Sequence, residues 1–60
     1  MAKFVIKKSE DKQFYFVLKA DNGEVIATSE MYTRKSNCRK GITSMRKNIW
    51  KAEVVDLSKQ

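Results

Sequence analysis

Six basic side chains stand close together in the second half of this chain: Arg34, Lys35, Arg39, Lys40, Arg46 and Lys47. On a helix turning about 100° per residue, Lys35, Arg39 and Arg46 gather on one flank, and Lys40 and Lys47 lie opposite the apolar stripe. Cations at that density can follow a phosphate backbone and gain affinity from the counterions they release, a chemistry that reads no sequence. Tyr15 and Trp50 are the candidates for stacking on bases. Each reading has a plainer competitor. A charged outer helix face is commonly only solvated, and the chain has neither an RNA-recognition motif nor a zinc-finger pattern. Trp50 sits where a helix hands over to a strand, and sealing the core or a dimer seam is the stronger reading there, because Trp is enriched in both.

Catalysis has little to work with. The chain has no histidine and one cysteine, so acid–base or nucleophilic work would fall to Cys38, the carboxylates, Tyr or Lys. Cys38 lies within an apolar helical stripe and reads as a small core hydrophobe, inert for want of a low-pKa environment. Nothing in the sequence pairs Glu30 with Asp56 across a sheet, and surface or capping roles suit them better. Asp11, Asp21, Glu24 and Glu30 lack the ligand spacing of an EF-hand or a carboxylate cluster. No enzyme, metal site or cofactor is expected.

The elements that must position these groups follow from hydrophobic period. Phe14, Phe16, Leu18 and Ala20 recur every second residue, the mark of a half-buried strand. Asn22-Gly23 between two such runs is a strong hairpin signal, since both residues tolerate positive φ. A two-residue loop would turn Val25 and Ala27 inward. A three-residue loop with a bulge at Gly23 sets Ala20 opposite Glu24 and brings Ile26 in opposite Leu18; it is favoured because Ile26 is the larger group to bury. Upstream, Lys3–Lys7 reads as a first strand with Phe4 and Ile6 on one face, joined to the second by the polar turn Ser9-Glu10-Asp11-Lys12. Cys38, Ile42, Met45 and Ile49 fall at i, i+4, i+7 and i+11, one narrow stripe of a helix. Thr33 or Ser36 could cap its start, without a capping box. Gly41 inside it costs about 1 kcal/mol relative to Ala, which points to a close approach by something else. Ala52–Leu57 alternates again as a last strand, with Ala52, Val54 and Asp56 on one face and Glu53, Val55 and Leu57 on the other. Ser58-Lys59-Gln60 is expected to fray. The order is β-β-β-α-β, in a single domain spanning 1–60 with no linker or internal repeat.

Sixty residues bury too small a share of their surface for comfortable stability. The usual supplements are disulfides, metals or association, and one cysteine without histidine leaves association. A single cysteine also fits a reducing cytoplasm. No run approaches the roughly 20 apolar residues of a membrane span, and the apolar run near Met1 is too short for a signal peptide. The net charge of +6 invites nucleic acid or an acidic protein, while also serving plain solubility.

Several of these segments together resemble a known family. Leu18-Lys19-Ala20-Asp21-Asn22-Gly23-Glu24-Val25-Ile26-Ala27, then Ser29-Glu30, Tyr32-Thr33, Gly41-Ile42 and Ala52-Glu53-Val54-Val55-Asp56 are similar to the hallmark of the YegP-like family of small uncharacterised prokaryotic domains. The likeness runs from about Phe4 to Asp56. It implies an α+β fold: a β3-α-β unit, an antiparallel sheet packed on one helix, occurring as a tandem repeat or as two identical chains that share a sheet and exchange C-terminal strands. With one unit, this chain resembles the homodimeric form. The resemblance brings no activity, cofactor or catalytic residue. Two departures bear on loop geometry: Asn48-Ile49-Trp50-Lys51 stands where relatives more often have small residues and Pro, and Met45 where they tend to have Val or Leu. The expected function is a non-enzymatic interaction module acting as a homodimer; the alternative is a basic, sequence-nonspecific nucleic-acid binder using the helix face.

Overall fold

The computed structural model describes residues 1–58. Three strands, β1 (Lys3–Lys8), β2 (Phe14–Lys19) and β3 (Val25–Thr28), form an antiparallel sheet in the order β1-β2-β3. Helix α1 (Lys35–Asn48) follows, and a 3-10 turn at Ile49–Lys51 continues it. The expected α+β arrangement of a sheet against one helix is present. The expected strand at Ala52–Leu57 forms no ladder within the chain, and Lys59 and Gln60, expected to fray, lie outside the described residues.

The first hairpin is regular, with Phe4 opposite Leu18, Ile6 opposite Phe16 and Lys8 opposite Phe14. Its turn closes through Ser9, whose N–H donates to Gln13 O at 2.8 Å and whose Oγ accepts from Gln13 N–H at 3.1 Å. Lys12 supplies the left-handed residue of that turn at φ 66°.

The second hairpin has the expected three-residue loop. Ala20 N–H donates to Glu24 O at 2.8 Å, Gly23 takes φ 87°, and Asn22 Oδ1 accepts from Glu24 N–H at 3.0 Å. The inward residue differs from expectation. Lys19 faces Val25 but Leu18 faces Ala27, so Ile26 is the extra residue of a bulge. An extra residue shifts the alternation by one; Ala27 turns inward, and Ile26 stays 61% exposed.

Beyond β3 a side chain stands in for backbone. Ser29 N–H donates to Phe16 O, while Ser29 Oγ accepts from Phe16 N–H, both at 2.9 Å. The ladder then resumes at Tyr32, which exchanges two 2.7 Å bonds with Phe14. That clasp fixes where the chain leaves the sheet, and α1 starts accordingly: Arg34 is its N-cap, with extended backbone and no side-chain cap. Neither Thr33 nor Ser36 serves.

Helix α1 packs chiefly on β2. Phe4 meets the Phe16 ring edge-on at 5.8 Å between centroids, and Tyr32 stacks on Phe16 at 6.4 Å and 15°. Cys38 is wholly buried, while Ile42 and Met45 of the same stripe are half-buried. Gly41 explains itself here: a Cβ on it would stand 2.5 Å from Tyr32 Oη and 3.2 Å from Phe16 Cε2. Val17 is buried too, although it points to the sheet's other face, between Val5 and Thr28. Phe16, Val17 and Cys38 are the buried apolar residues among those described. So small a core leaves much apolar surface unpaid, and it gathers at the carboxyl end, where Val54 is 95% and Leu57 87% exposed. The Cα radius of gyration, 13.5 Å, exceeds the about 10 Å of a compact chain this long.

Candidate functional site

A groove of about 670 Å³ runs between β1 and α1. Its apolar lining comes from Phe4, Ile6, Phe14 and Ile42, and its rim from Lys7, Lys8, Lys35, Arg39 and Arg46, with no carboxylate among them. Local structure dictates each placement. Strand alternation aims Phe4, Ile6 and Lys8 to the helix side, and hairpin register sets Lys8 opposite Phe14, its Nζ 5.6 Å from the ring centroid. Helical spacing puts Lys35, Arg39, Ile42 and Arg46 on the face toward β1.

The structure therefore divides the basic helix face. Lys35, Arg39 and Arg46 come together on the groove, as their shared flank predicts. Arg34, Lys40 and Lys47 do not line it. Lys8 joins from a strand 27 residues upstream of Lys35, a partnership that helix periodicity alone does not show; the hairpin register is the available signal, and Lys7 borders the groove only from the strand edge, its side chain alternating to the sheet face of Tyr15. Tyr15 is half-buried on the opposite sheet face, since it neighbours Phe14 and Phe16 in β2. Trp50 is 74% exposed beyond the helix end, with Lys51 Nζ 5.0 Å from its ring centroid. It does not seal the chain's own core, because the 3-10 turn carries it past the end of the sheet-facing stripe.

Among the described residues, the ion pair found is Met1 ammonium to Asp21 at 3.1 Å, away from the groove. Among the described residues, no carboxylate pairs with the rim cations. Burial pushes the Cys38 thiol above its ordinary value, the Arg39 charge offsetting only part of that, so the one thiol is sealed and protonated. Among the described residues, no three His, Cys, Asp or Glu side chains stand together as metal ligands. No described helix is long and apolar enough to cross a membrane.

A smaller cavity of about 390 Å³ lies on the other flank of α1, lined by Phe16, Ser29, Tyr32, Gly41 and Met45 among others. Its residues hold the sheet clasp and the Gly41 contact. The flank's polar groups are spent internally: Asn48 Nδ2 donates to Ser44 O at 2.7 Å. Near the carboxyl end, Asp56 Oδ1 accepts from Ser58 Oγ at 2.5 Å and Ser58 N–H at 2.9 Å, which holds its carboxyl below the ordinary value.

Comparison with known proteins places this geometry. Residues 9–56 match the domain of unknown function DUF1508. The UPF0339 protein YegP of Escherichia coli K12 is 60% identical over 45 residues, which are 75% of this chain and 41% of that protein. The chain thus spans about two-fifths of the length of that relative. A UPF0339 protein of Treponema denticola is 51% identical over 55 residues, 92% of this chain and 95% of its own. The solution structure of a protein from Haloferax volcanii superposes with a TM-score of 0.82 at 28% identity, covering 92% of this chain and 93% of that one. With four-fifths of its length matched and its sheet-and-helix fold shared, the chain belongs to the YegP-like family, the DUF1508 domains of unknown function.

Proposed function

We propose that this domain is a non-enzymatic interaction module that works as a homodimer in a reducing cytoplasm, each chain giving its C-terminal segment to the other. One observation carries the reading: Ala52–Ser58 is exposed throughout, Val54, Val55 and Leu57 included, and forms no ladder within its own chain. A contiguous exposed apolar stretch marks an interaction site, and exchange of an identical segment is a low-cost route to a dimer. The small buried core adds to it, since association supplies burial that this length lacks. Light scattering after gel filtration tests it. The intact chain is expected near twice its 7.0 kDa mass, and a chain ending at Lys51 near its own monomer mass. A monomeric intact chain at about 100 µM, far above the micromolar range of specific interfaces, defeats the proposal.

A second reading rests on the groove. Four cations on the groove side, Lys8, Lys35, Arg39 and Arg46, without a carboxylate could hold a nucleic-acid backbone by counterion release or an acidic protein surface. Fluorescence anisotropy of labelled random oligonucleotides at two salt concentrations separates the two readings. Affinity tighter than about 10 µM that falls steeply with salt, and falls further in Arg39→Glu, supports nucleic acid. No binding at low salt removes that reading.

A further inference from the structure

We propose that the helix-free face of the sheet binds single-stranded nucleic acid, a base stacking on Tyr15 while Lys3, Lys7 and Lys19 take the phosphates. This surface is separate from the groove between β1 and α1, and the inference does not rest on the homodimer reading.

Strand alternation and register settle what the face holds. Phe4, Ile6 and Lys8 of β1 turn toward α1 with Phe14, Phe16 and Leu18 of β2, so Lys3, Val5 and Lys7 turn away with Tyr15, Val17 and Lys19. Pairing sets Lys3 opposite Lys19, Val5 opposite Val17 and Lys7 opposite Tyr15. On the β3 side, Val25 stands beside Lys19 and Thr28 beside Val17. The step from Lys3 to Lys7 along one strand, like that from Tyr15 to Lys19 along the next, spans about 13 Å.

A sheet face that meets only water is ordinarily polar. Here Val5, Tyr15, Val17 and Val25 make an apolar middle with lysines at both ends. The residues that face this way from the three strands include no carboxylate; Glu24 and Glu30 lie beyond the two ends of β3. Among the described residues, none of the three lysines is ion-paired. The charge is therefore complementary to a polyanion.

The ring selects among polyanions. Phe4 and Tyr32 each pair with Phe16, while Phe14 carries the Lys8 ammonium and Trp50 that of Lys51. Tyr15 is the remaining aromatic residue, half-buried and without a partner ring or cation among the described residues. An aromatic ring on an open sheet is a platform for an unstacked base. A duplex keeps its base faces inside its own stack, and an acidic protein would satisfy the lysines without engaging the ring. A single strand uses both.

Fluorescence anisotropy with a labelled oligothymidylate of about 12 nucleotides tests this on the intact chain. It is expected to bind more tightly than duplex DNA of equal length, with affinity falling as salt rises. Tyr15→Leu, which keeps an apolar group but loses the π-face, should weaken binding about fivefold or more, and Tyr15→Phe should restore it. Lys3→Gln and Lys7→Gln should each lower the slope of log affinity against log salt by about 0.7, while Arg39→Gln in the groove leaves affinity and slope as they were. Circular dichroism verifies the fold of each variant. Equal affinity for single strand and duplex, or no loss in Tyr15→Leu, overturns the proposal. So does poly-glutamate competing as well as the oligonucleotide, which would indicate an acidic protein partner. A loss in Arg39→Gln with none in Lys3→Gln or Lys7→Gln moves the site to the groove and refutes this face. No binding at low salt removes this face and the groove's nucleic-acid reading together, and leaves the homodimer reading standing.

Discussion

Replacing Gly41 by Ala should destabilise this protein, against the ordinary rule for helices. By propensity alone, Gly to Ala inside a helix gains about 1 kcal/mol. The new methyl would stand 2.5 Å from Tyr32 Oη, 3.0 Å from Tyr32 Cζ and 3.2 Å from Phe16 Cε2. Phe16 is buried and cannot give way, and Tyr32 is tied by two backbone bonds to Phe14. Overpacking of this kind costs about 1–3 kcal/mol, and tilting Tyr32 off Phe16 forfeits a stacked pair worth about 0.5–1.5 kcal/mol. After subtracting the propensity gain, the expected net loss is about 0.5–3.5 kcal/mol. For a domain of this size each kcal/mol lowers Tm by about 4–8 °C. Urea and thermal unfolding by circular dichroism would measure it, at one fixed protein concentration so that association does not shift the midpoint. Tyr32→Phe supplies the control, because it removes the nearest atom; in that background the cost of Gly41→Ala should shrink to within about 1 kcal/mol of zero. A Gly41→Ala chain that is more stable by about 1 kcal/mol would refute the reasoning, since propensity alone would then rule the position.

Other positions carry sharp expectations. Ser29→Ala removes the acceptor of Phe16 N–H and should cost about 1–2 kcal/mol, with hydrogen exchange at the Phe16 amide accelerating more than at Val17. Lys12 is exposed and sits at φ 66°, so Lys12→Gly should gain up to about 1 kcal/mol by relieving a left-handed side chain, read as a higher urea midpoint. Cys38, buried with its thiol pushed up, should react with iodoacetamide at least about 100-fold more slowly in the native protein than in urea. Because the folded thiol keeps its proton to higher pH than the unfolded one, stability should fall as pH rises past the ordinary thiol range.

Much of this architecture is legible in the sequence because the signals are local. Phe14, Phe16 and Leu18 announce a strand by period, Asn22-Gly23 a turn by conformational need, and Cys38, Ile42 and Met45 a helix by spacing. What escaped depends on contacts far apart in sequence. The inward residue of β3 hangs on a single extra residue at Ile26, and both alternatives are apolar, so composition cannot choose between them. Thr33 and Ser36 look like caps, yet the Tyr32–Phe14 clasp decides where α1 begins. Half of the candidate site was readable as the flank of Lys35, Arg39 and Arg46. Lys7, Lys8 and the apolar lining enter it only through the β1–β2 register. The alternation of Ala52–Leu57 is equally plain, but a period-2 pattern states a need for a neighbouring strand without naming whose strand it is.

The inequality of the sheet's two edges has a meaning in the language of polymerisation. A subunit able to accept strands on both sides is bifunctional and can grow without limit, as cross-β fibrils do. Here the Ile26 bulge and the Ser29 break blunt one of the two sides. Growth of that kind would have one regular edge to start from, along β1, and a blunted one at β3.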